Sequence, residues 1–305
     1  MLDYKKVVIW GYPLHSHTHS YIHAGFYKAF EAMGYDAYWF HDGAAPGGFD
    51  FDGALFLTIG GQDQAIPLLP GCTYVLHNAK AEKYLAADAK VMQLQVYTRG
   101  AYGHRPVEKI NQYTVLQKGA VVDCLCQPWA TDLLPSEVDP GSARNELANR
   151  ECVFVGTYGN TETEHGNGNQ IKRYFELCEK AGIRARAINP WSSPVSFEEN
   201  RRLVANAYLA PCINSAWQNE NHYLPCRVFK NISYGHFGIT NNPACQVVFG
   251  GALVHSEGVD ELFALSMEKK NSPSHLEELR YLMAEVRDKH TYVNRIKQIL
   301  ECLPR

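Results

Sequence analysis

His15, His17, His19 and His23 crowd one short run, HSHTHSYIH, and Ser16, Thr18 and Ser20 alternate with them. An imidazole gains or loses its charge near neutral pH. It can therefore take a proton from a reacting hydroxyl or, as the neutral ring, bind a metal ion. A second group gathers further on: Asn219, Glu220, Tyr223, Arg227, Lys230 and Asn231. Arg grips phosphate through two parallel N–H bonds, and Lys one helical turn later adds a point charge on the same face. Gly156 and Thr157 follow the apolar run CVFV, where small residues let a ligand approach the backbone. Asn160, Thr161, Glu162 and His165 extend that loop. A lone D-x-D, Asp50 and Asp52, lies in a Gly-containing connection and reads as a solvated turn.

The elements that must position these groups alternate along the chain. Run 6–12 is β-rich and apolar, as a buried parallel strand is, and runs 36–40, 53–59, 73–77 and 89–95 read as further strands. Between the first two, Ile22, Phe26, Phe30 and Met33 recur at helical spacing, with Ser20 as the expected N-cap and Gly34 as the stop. Segment 78–87 reads as a helix, and 113–117 and 121–126 as further strands. Residues 127–150, rich in Pro and acids, read as an interdomain crossing. The pattern restarts at 151–159. Helices are expected around 171–181, over 197–206 behind a Ser196/Glu199 capping box, over 225–234, and through most of 258–303 with Ser274/Glu277 as a second box. Strands fall at 184–189, 207–213, 237–241 and 252–255. In an open α/β sheet, ligands sit beyond the carboxyl ends of the strands. The loops after 6–12 and 151–155, and the loop at 214–225, leave such ends.

The chain has 305 residues, 46% of them hydrophobic and 20% charged, which suits two globular domains. The net charge is −3 and no Lys/Arg run stands out, so nucleic acid is not expected as a partner. The nine cysteines are irregularly spaced and contain no C-x-x-C, which argues against a disulfide framework or structural zinc. With no signal-peptide core and no apolar run of about 20 residues, a cytoplasmic protein is expected, with peripheral membrane contact left open.

The second half resembles the GT-B fold glycosyltransferases. The features are, in order, CVFVGTYG, ELCEKAGIRARAIN, PCRVFKNISYGHFGITN and EGVDELFALSMEK. Many members carry a helix R-x-F-E-x-x-x-x-G against the donor nucleotide. Here it reads from Arg227 through Phe229 to Gly235, with Lys230 in place of the Glu and Val228 facing Glu220 in the spacing where retaining members pair two glutamates. The resemblance implies an α/β fold of two Rossmann-like domains facing a cleft. An acceptor domain would span 1–140, a donor domain 141–285, and a C-terminal helix 286–305 would pack back on the first domain. It also implies transfer of a sugar from a nucleotide-diphosphate donor to a hydroxyl of a glycan or other acceptor. Gly156, Thr157, Glu220, Tyr223, Arg227, Lys230 and Asn231 would hold the donor. His15, Ser16 and Ser20 would hold the acceptor, and His17, His19 or His23 would be the general base, with Asp42 next in line. No metal or other cofactor is expected, because Arg and Lys supply the charge. Two other readings stand beside this one. H-x-H after a first strand is similar to the opening of amidohydrolase barrels, so the His15–His23 cluster could serve a metal-dependent hydrolase. A non-catalytic nucleotide- or glycan-binding protein would use the same fold.

Overall fold

A computed structural model describes residues 4–44, 46–97, 107–144, 150–159, 166–190 and 192–304. The chain divides into two compact units. One is Met1–Leu134 with Tyr292–Arg305, and the other is Pro135–Thr291.

The first unit holds β1 (Lys6–Trp10), α1 (Thr18–Ala32), β2 (Asp36–Phe40), β3 (Leu55–Ile59), β4 (Thr73–His77), α2 (Glu82–Ala86), β5 (Lys90–Gln95), β6 (Val107–Lys109), β7 (Val115–Gln117) and β8 (Cys124–Cys126). They form one sheet in the order β2-β1-β3-β4-β5-β8-β7-β6. The strands from β2 to β8 in that order run parallel, and β7 and β6 add an antiparallel edge. The central strands read LFLTI and TYVLH and are buried at every position, as strands covered on both faces must be. Val8, Trp10, Phe56, Tyr74 and Leu76 build a core on one face with Phe51 and Tyr84. Each such side chain contributes about 1.5–3 kcal/mol by leaving water. The sheet is open, which removes the barrel that the hydrolase alternative needs.

The second unit holds β9 (Glu151–Val155), α3 (Gly168–Lys180), β10 (Arg184–Ile188), α4 (Phe197–Ala205), α5 (Ala216–Glu220), α6 (Cys226–Ser233), β11 (Ile239–Thr240), α7 (Pro243–Val248), β12 (Val254–His255), α8 (Val259–Asn271) and α9 (His275–Lys289). Pairs β10–β9 and β11–β12 are parallel. Segment 209–213 bridges them through Cys152↔Leu209 and Cys212↔Thr240, also parallel. The result is a Rossmann-like strand order with short helices following the strands. The last helix, α10 (Tyr292–Cys302), belongs to the first unit, where Tyr292 lies on Phe26 at 4.6 Å between ring centroids.

Three local expectations change. The N-cap of α1 is His17, whose ring accepts the backbone N–H of His19, and not Ser20. Ser20 is fully buried and its hydroxyl donates to the His17 carbonyl at 2.7 Å. The loop after segment 209–213 contains a further helix, α5, opened by a Ser215/Gln218 capping box. Ser274 makes no capping bond to a backbone N–H, and its hydroxyl donates to Glu278 instead.

Candidate functional site

At the carboxyl edge of the first unit's sheet, β1 runs through Gly11 into the histidine segment. Here α1 starts earlier than its periodicity suggests, so His17 and His19 are fixed at a helix start and not loose in a loop. Tyr12 stacks on His17 at 4.0 Å, and His17 stacks on His19 at 5.1 Å. The His17 Nδ1 accepts the His19 backbone N–H at 3.2 Å, so that nitrogen carries the lone pair. The His19 Nδ1, also 3.2 Å away, must then be the donor. This leaves His19 Nε2 unprotonated, which is the form a proton acceptor needs. Burial and the neighbouring imidazoles of His77, His17 and His23 pull the His19 pKa down to about 2. Burial also lowers that of His17.

Two residues that sequence reasoning passed over complete this wall. His77 ends β4 and lies 5.2 Å from the His19 ring, and Trp129 meets His77 edge-on at 5.0 Å and His19 at 6.2 Å. No local signal marks them. His77 reads as the end of an apolar strand, and Trp129 lies in the Pro-rich stretch. Arg295 of α10, fully buried, holds Trp129 by donating to the Pro128 carbonyl at 2.8 Å and the Trp129 carbonyl at 3.2 Å.

The remaining histidines and serines do not join the wall in the expected roles. His23 is buried with its Nδ1 unpartnered, and its ring occupies the space left by Gly11, where any side chain would collide with it. Burial takes its pKa down to about 3. His15 is exposed, at φ +69°, with Nδ1 3.1 Å from the Tyr21 hydroxyl. The Ser16 hydroxyl donates to the Pro13 carbonyl and Ser20 is committed as above, so both serve the turn. Asp42 is likewise spent. It accepts from Trp10 Nε1 at 2.9 Å and from the backbone N–H groups of Gln64 and Ala65.

At the carboxyl edge of the second unit, the Arg227 guanidinium lies over the Phe154 ring at 4.0 Å. Its Nε donates to the Val155 carbonyl at 2.9 Å, and it fills the space left by Gly156. Thr157 follows, exposed. Asn214 and Asn241, which follow segment 209–213 and β11, interlock. The Asn214 N–H donates to Asn241 Oδ1 at 2.8 Å, and Asn241 Nδ2 donates to the Asn214 carbonyl at 3.0 Å. The Tyr223 carbonyl accepts Asn242 Nδ2 at 2.6 Å, and Glu220 is exposed at the end of α5. Lys230 points elsewhere, over the Phe197 ring at 5.5 Å. Asn231 is a tie within the fold, its amide donating to the Ala210 carbonyl at 2.8 Å. Asn160, Thr161, Glu162 and His165 lie outside the described residues. Asp50 and Asp52 precede β3, at the opposite edge of the first sheet from the histidines, and Asp50 pairs with Lys6 at 2.7 Å. Among the described residues, no three His, Cys, Asp or Glu side chains are grouped to hold a metal ion. Nor, among them, is any helix long and apolar enough to cross a membrane.

No family model matches the chain, and no curated protein matches its sequence. Solved structures do match its fold. An alpha-glucosyltransferase in complex with UDP-glucose and DNA containing an abasic site aligns over 97% of this chain and 98% of its own, with a TM-score of 0.61 and 8% identity. Trehalose-6-phosphate synthase aligns over 98% and 100%, at 0.57 and 9% identity. Phage T4 BGT with its UDP-glucose substrate aligns over 93% and 94%, at 0.51 and 11% identity. The fold is thus the GT-B type with two Rossmann-like domains. These neighbours also correct the expectation about nucleic acid. Alpha-glucosyltransferases of this fold have been solved with 13-mer DNA. A chain of this fold is therefore not barred from nucleic acid by the lack of a Lys/Arg run.

Proposed function

We propose that this protein is a glycosyltransferase that moves a sugar from a nucleoside-diphosphate donor to an acceptor hydroxyl. The observation that carries the reading is Arg227, seated at the Gly156 turn on the carboxyl edge of a Rossmann-like sheet. A guanidinium at such an edge meets the charge that builds on a departing diphosphate. The UDP-glucose bound in the structural neighbours makes UDP the first nucleotide to test. His19 is the general base, and the low pKa that burial gives it rises as the acceptor and the negatively charged diphosphate come beside it. As the acceptor oxygen bonds to the sugar's anomeric carbon, its proton passes to His19 Nε2. The bond from that carbon to the diphosphate oxygen breaks, and its electron pair leaves with the diphosphate. Arg227 supplies the charge that a divalent metal provides in other sugar transferases, so the reaction is proposed to need none.

The test is a thermal-shift screen of UDP, GDP, CMP and dTDP with their sugars, followed by turnover assays that include sugar and hydroxymethylated-DNA acceptors. A bound nucleotide at 100 times its Kd stabilises the fold by about 2.7 kcal/mol. If no nucleotide raises the melting temperature, the reading fails.

A further inference from the structure

Beside the His17–His19 pair, a row of side chains is bonded in one direction only. The Val96 backbone N–H can only donate, and it donates to Gln95 Oε1 at 2.8 Å. That fixes the Gln95 amide with its nitrogen outward, where Nε2 donates to Asn78 Oδ1 at 3.2 Å. Asn78 is thereby fixed with Nδ2 towards His77, and donates to His77 Nε2 at 3.1 Å. The other His77 nitrogen faces the Leu94 carbonyl at 3.1 Å, which can only accept. Both ends of the row are backbone groups, and both demand the same polarity. His77 is therefore the neutral ring with its proton on Nδ1.

A second proton on His77 would set N–H against N–H. Turning Asn78 over would relieve that clash only by creating another at Gln95, and the Val96 N–H blocks Gln95 from following. Asn78 is also held from behind. It sits at φ +51°, its carbonyl packed where Gly60 has no side chain. The ionisable groups around the row are His17, His19 and His23 on the side of α1, and Asp63, Lys80, Glu82 and Lys83 around a cavity of about 420 Å³ that Asn78 also lines. The imidazoles are the groups that share a wall with His77.

The geometry points to the row from Val96 through Gln95 and Asn78 to His77 and Leu94 as a positioning device for His19. It keeps His77 a fixed, uncharged ring against which His19 packs, so that the acceptor's proton stays on His19 and does not spread to its neighbour. The role rests on the transferase reading above. His77 is a positioning residue, since both its nitrogens are engaged within the fold.

The test joins long-range 15N imidazole spectra to pH profiles of turnover. In the wild-type protein, His77 should show one neutral tautomer, protonated at Nδ1, from pH 5.5 to 8.5. Asn78→Asp places an acceptor against His77 Nε2, so His77 should gain a second proton in that range. Turnover should then fall, by at most about tenfold for each unit by which the His19 proton affinity drops, more strongly at the acid end, with UDP stabilisation unchanged. Gln95→Met frees Asn78 to turn over without adding a charge, and should shift both readouts in the same direction by less. A wild-type His77 that titrates in this range, or carries its proton on Nε2, overturns the row. Normal spectra with an unshifted pH profile in Asn78→Asp overturn the positioning role. A wild-type protein that transfers no sugar removes the transferase reading and the role with it, while the tautomer result stands.

Discussion

Arg227 occupies the place that a side chain on Gly156 would take. The guanidinium lies across the end of β9, bonded to the Val155 carbonyl and stacked on Phe154, and any Cβ at position 156 would run into it. Gly156 also sits at φ +153°, which other residues rarely adopt. The strand end and the Arg are thus one device, and neither can change alone.

Arg227→Ala and Gly156→Ala should therefore fail in the same way. Each should weaken UDP-dependent stabilisation by a similar amount while leaving the ligand-free protein folded. Gly156→Ala carries an added backbone strain of about 1–3 kcal/mol. Because both remove one arrangement, the double variant should lose little more than either single. Fully additive losses in a UDP thermal-shift titration would show that the two act separately.

Among the histidines, His19→Ala should lower kcat by about 10²–10⁴, the usual span for a lost general base, with UDP binding preserved. His17→Ala should cost less, because it removes the partner that orients His19 and not the acceptor nitrogen itself. His15→Ala should be close to neutral, since His15 is exposed at the rim of the turn. Steady-state kinetics on the three variants separates them. A near-normal kcat in His19→Ala would move the base elsewhere.

Much of this arrangement was legible in the chain. Buried parallel strands betray themselves by unbroken apolar runs, and Arg227 and Gly156 stood out by type and place. The misses have physical causes. The start of α1 was misplaced because the Ser20 hydroxyl turns to the His17 carbonyl, a choice that periodicity does not encode. The α5 helix hid in a polar segment whose one signal was Ser215 with Gln218 three residues on. Lys230 shares a helix face with Arg227 but finds Phe197, because tertiary neighbours decide where a long side chain goes. His77 and Trp129 come beside His19 only when separate strand ends meet, which no local pattern announces.

Acid should unfold the protein through its buried imidazoles. Burial keeps His23 neutral down to about pH 3 and His77 down to about pH 4 in the folded chain. Once unfolded, the same rings protonate below about 6.5. Between those limits the unfolded chain holds more protons, so the stability present above about pH 6.5 is lost as the pH falls. Urea midpoints should decline steadily from pH 7 to pH 4.5. His23→Met should flatten that decline, because one ring no longer titrates on unfolding. A midpoint independent of pH across this range would contradict the assignment.

Chelation should leave turnover intact. The D-x-D pair lies at the amino edge of the first sheet, where Asp50 is tied to Lys6, and in the proposed reaction Arg227 meets the diphosphate charge without a metal. Activity in EDTA should match activity in buffer, and Asp50→Ala should change neither kcat nor the donor KM. Loss of activity in EDTA with recovery in Mn²⁺ would overturn the metal-free reaction.

Arg295 offers a test of how the last helix supports the histidine wall. Its guanidinium is fully buried, and burial lowers its pKa to about 10, a desolvation that the fold must offset. The offset comes from the Pro128 and Trp129 carbonyls and from the Tyr113 ring, 5.1 Å from the guanidinium. These bonds fix the backbone from which Trp129 reaches His77 and His19. Arg295→Met keeps the stem and the packing but leaves two buried carbonyls without their donor, which costs about 1–3 kcal/mol. Arg295→Lys keeps the charge yet can reach fewer acceptors at once, so it should fall between. If Arg295 acts through Trp129, both variants should also lower kcat, in the same order as their loss of stability, with UDP stabilisation unaltered. Urea melts and kinetics on the same preparations give both quantities. A stability loss with unchanged kcat would make Arg295 a strut for the helix alone, and would leave Trp129 to be held by its ring contacts.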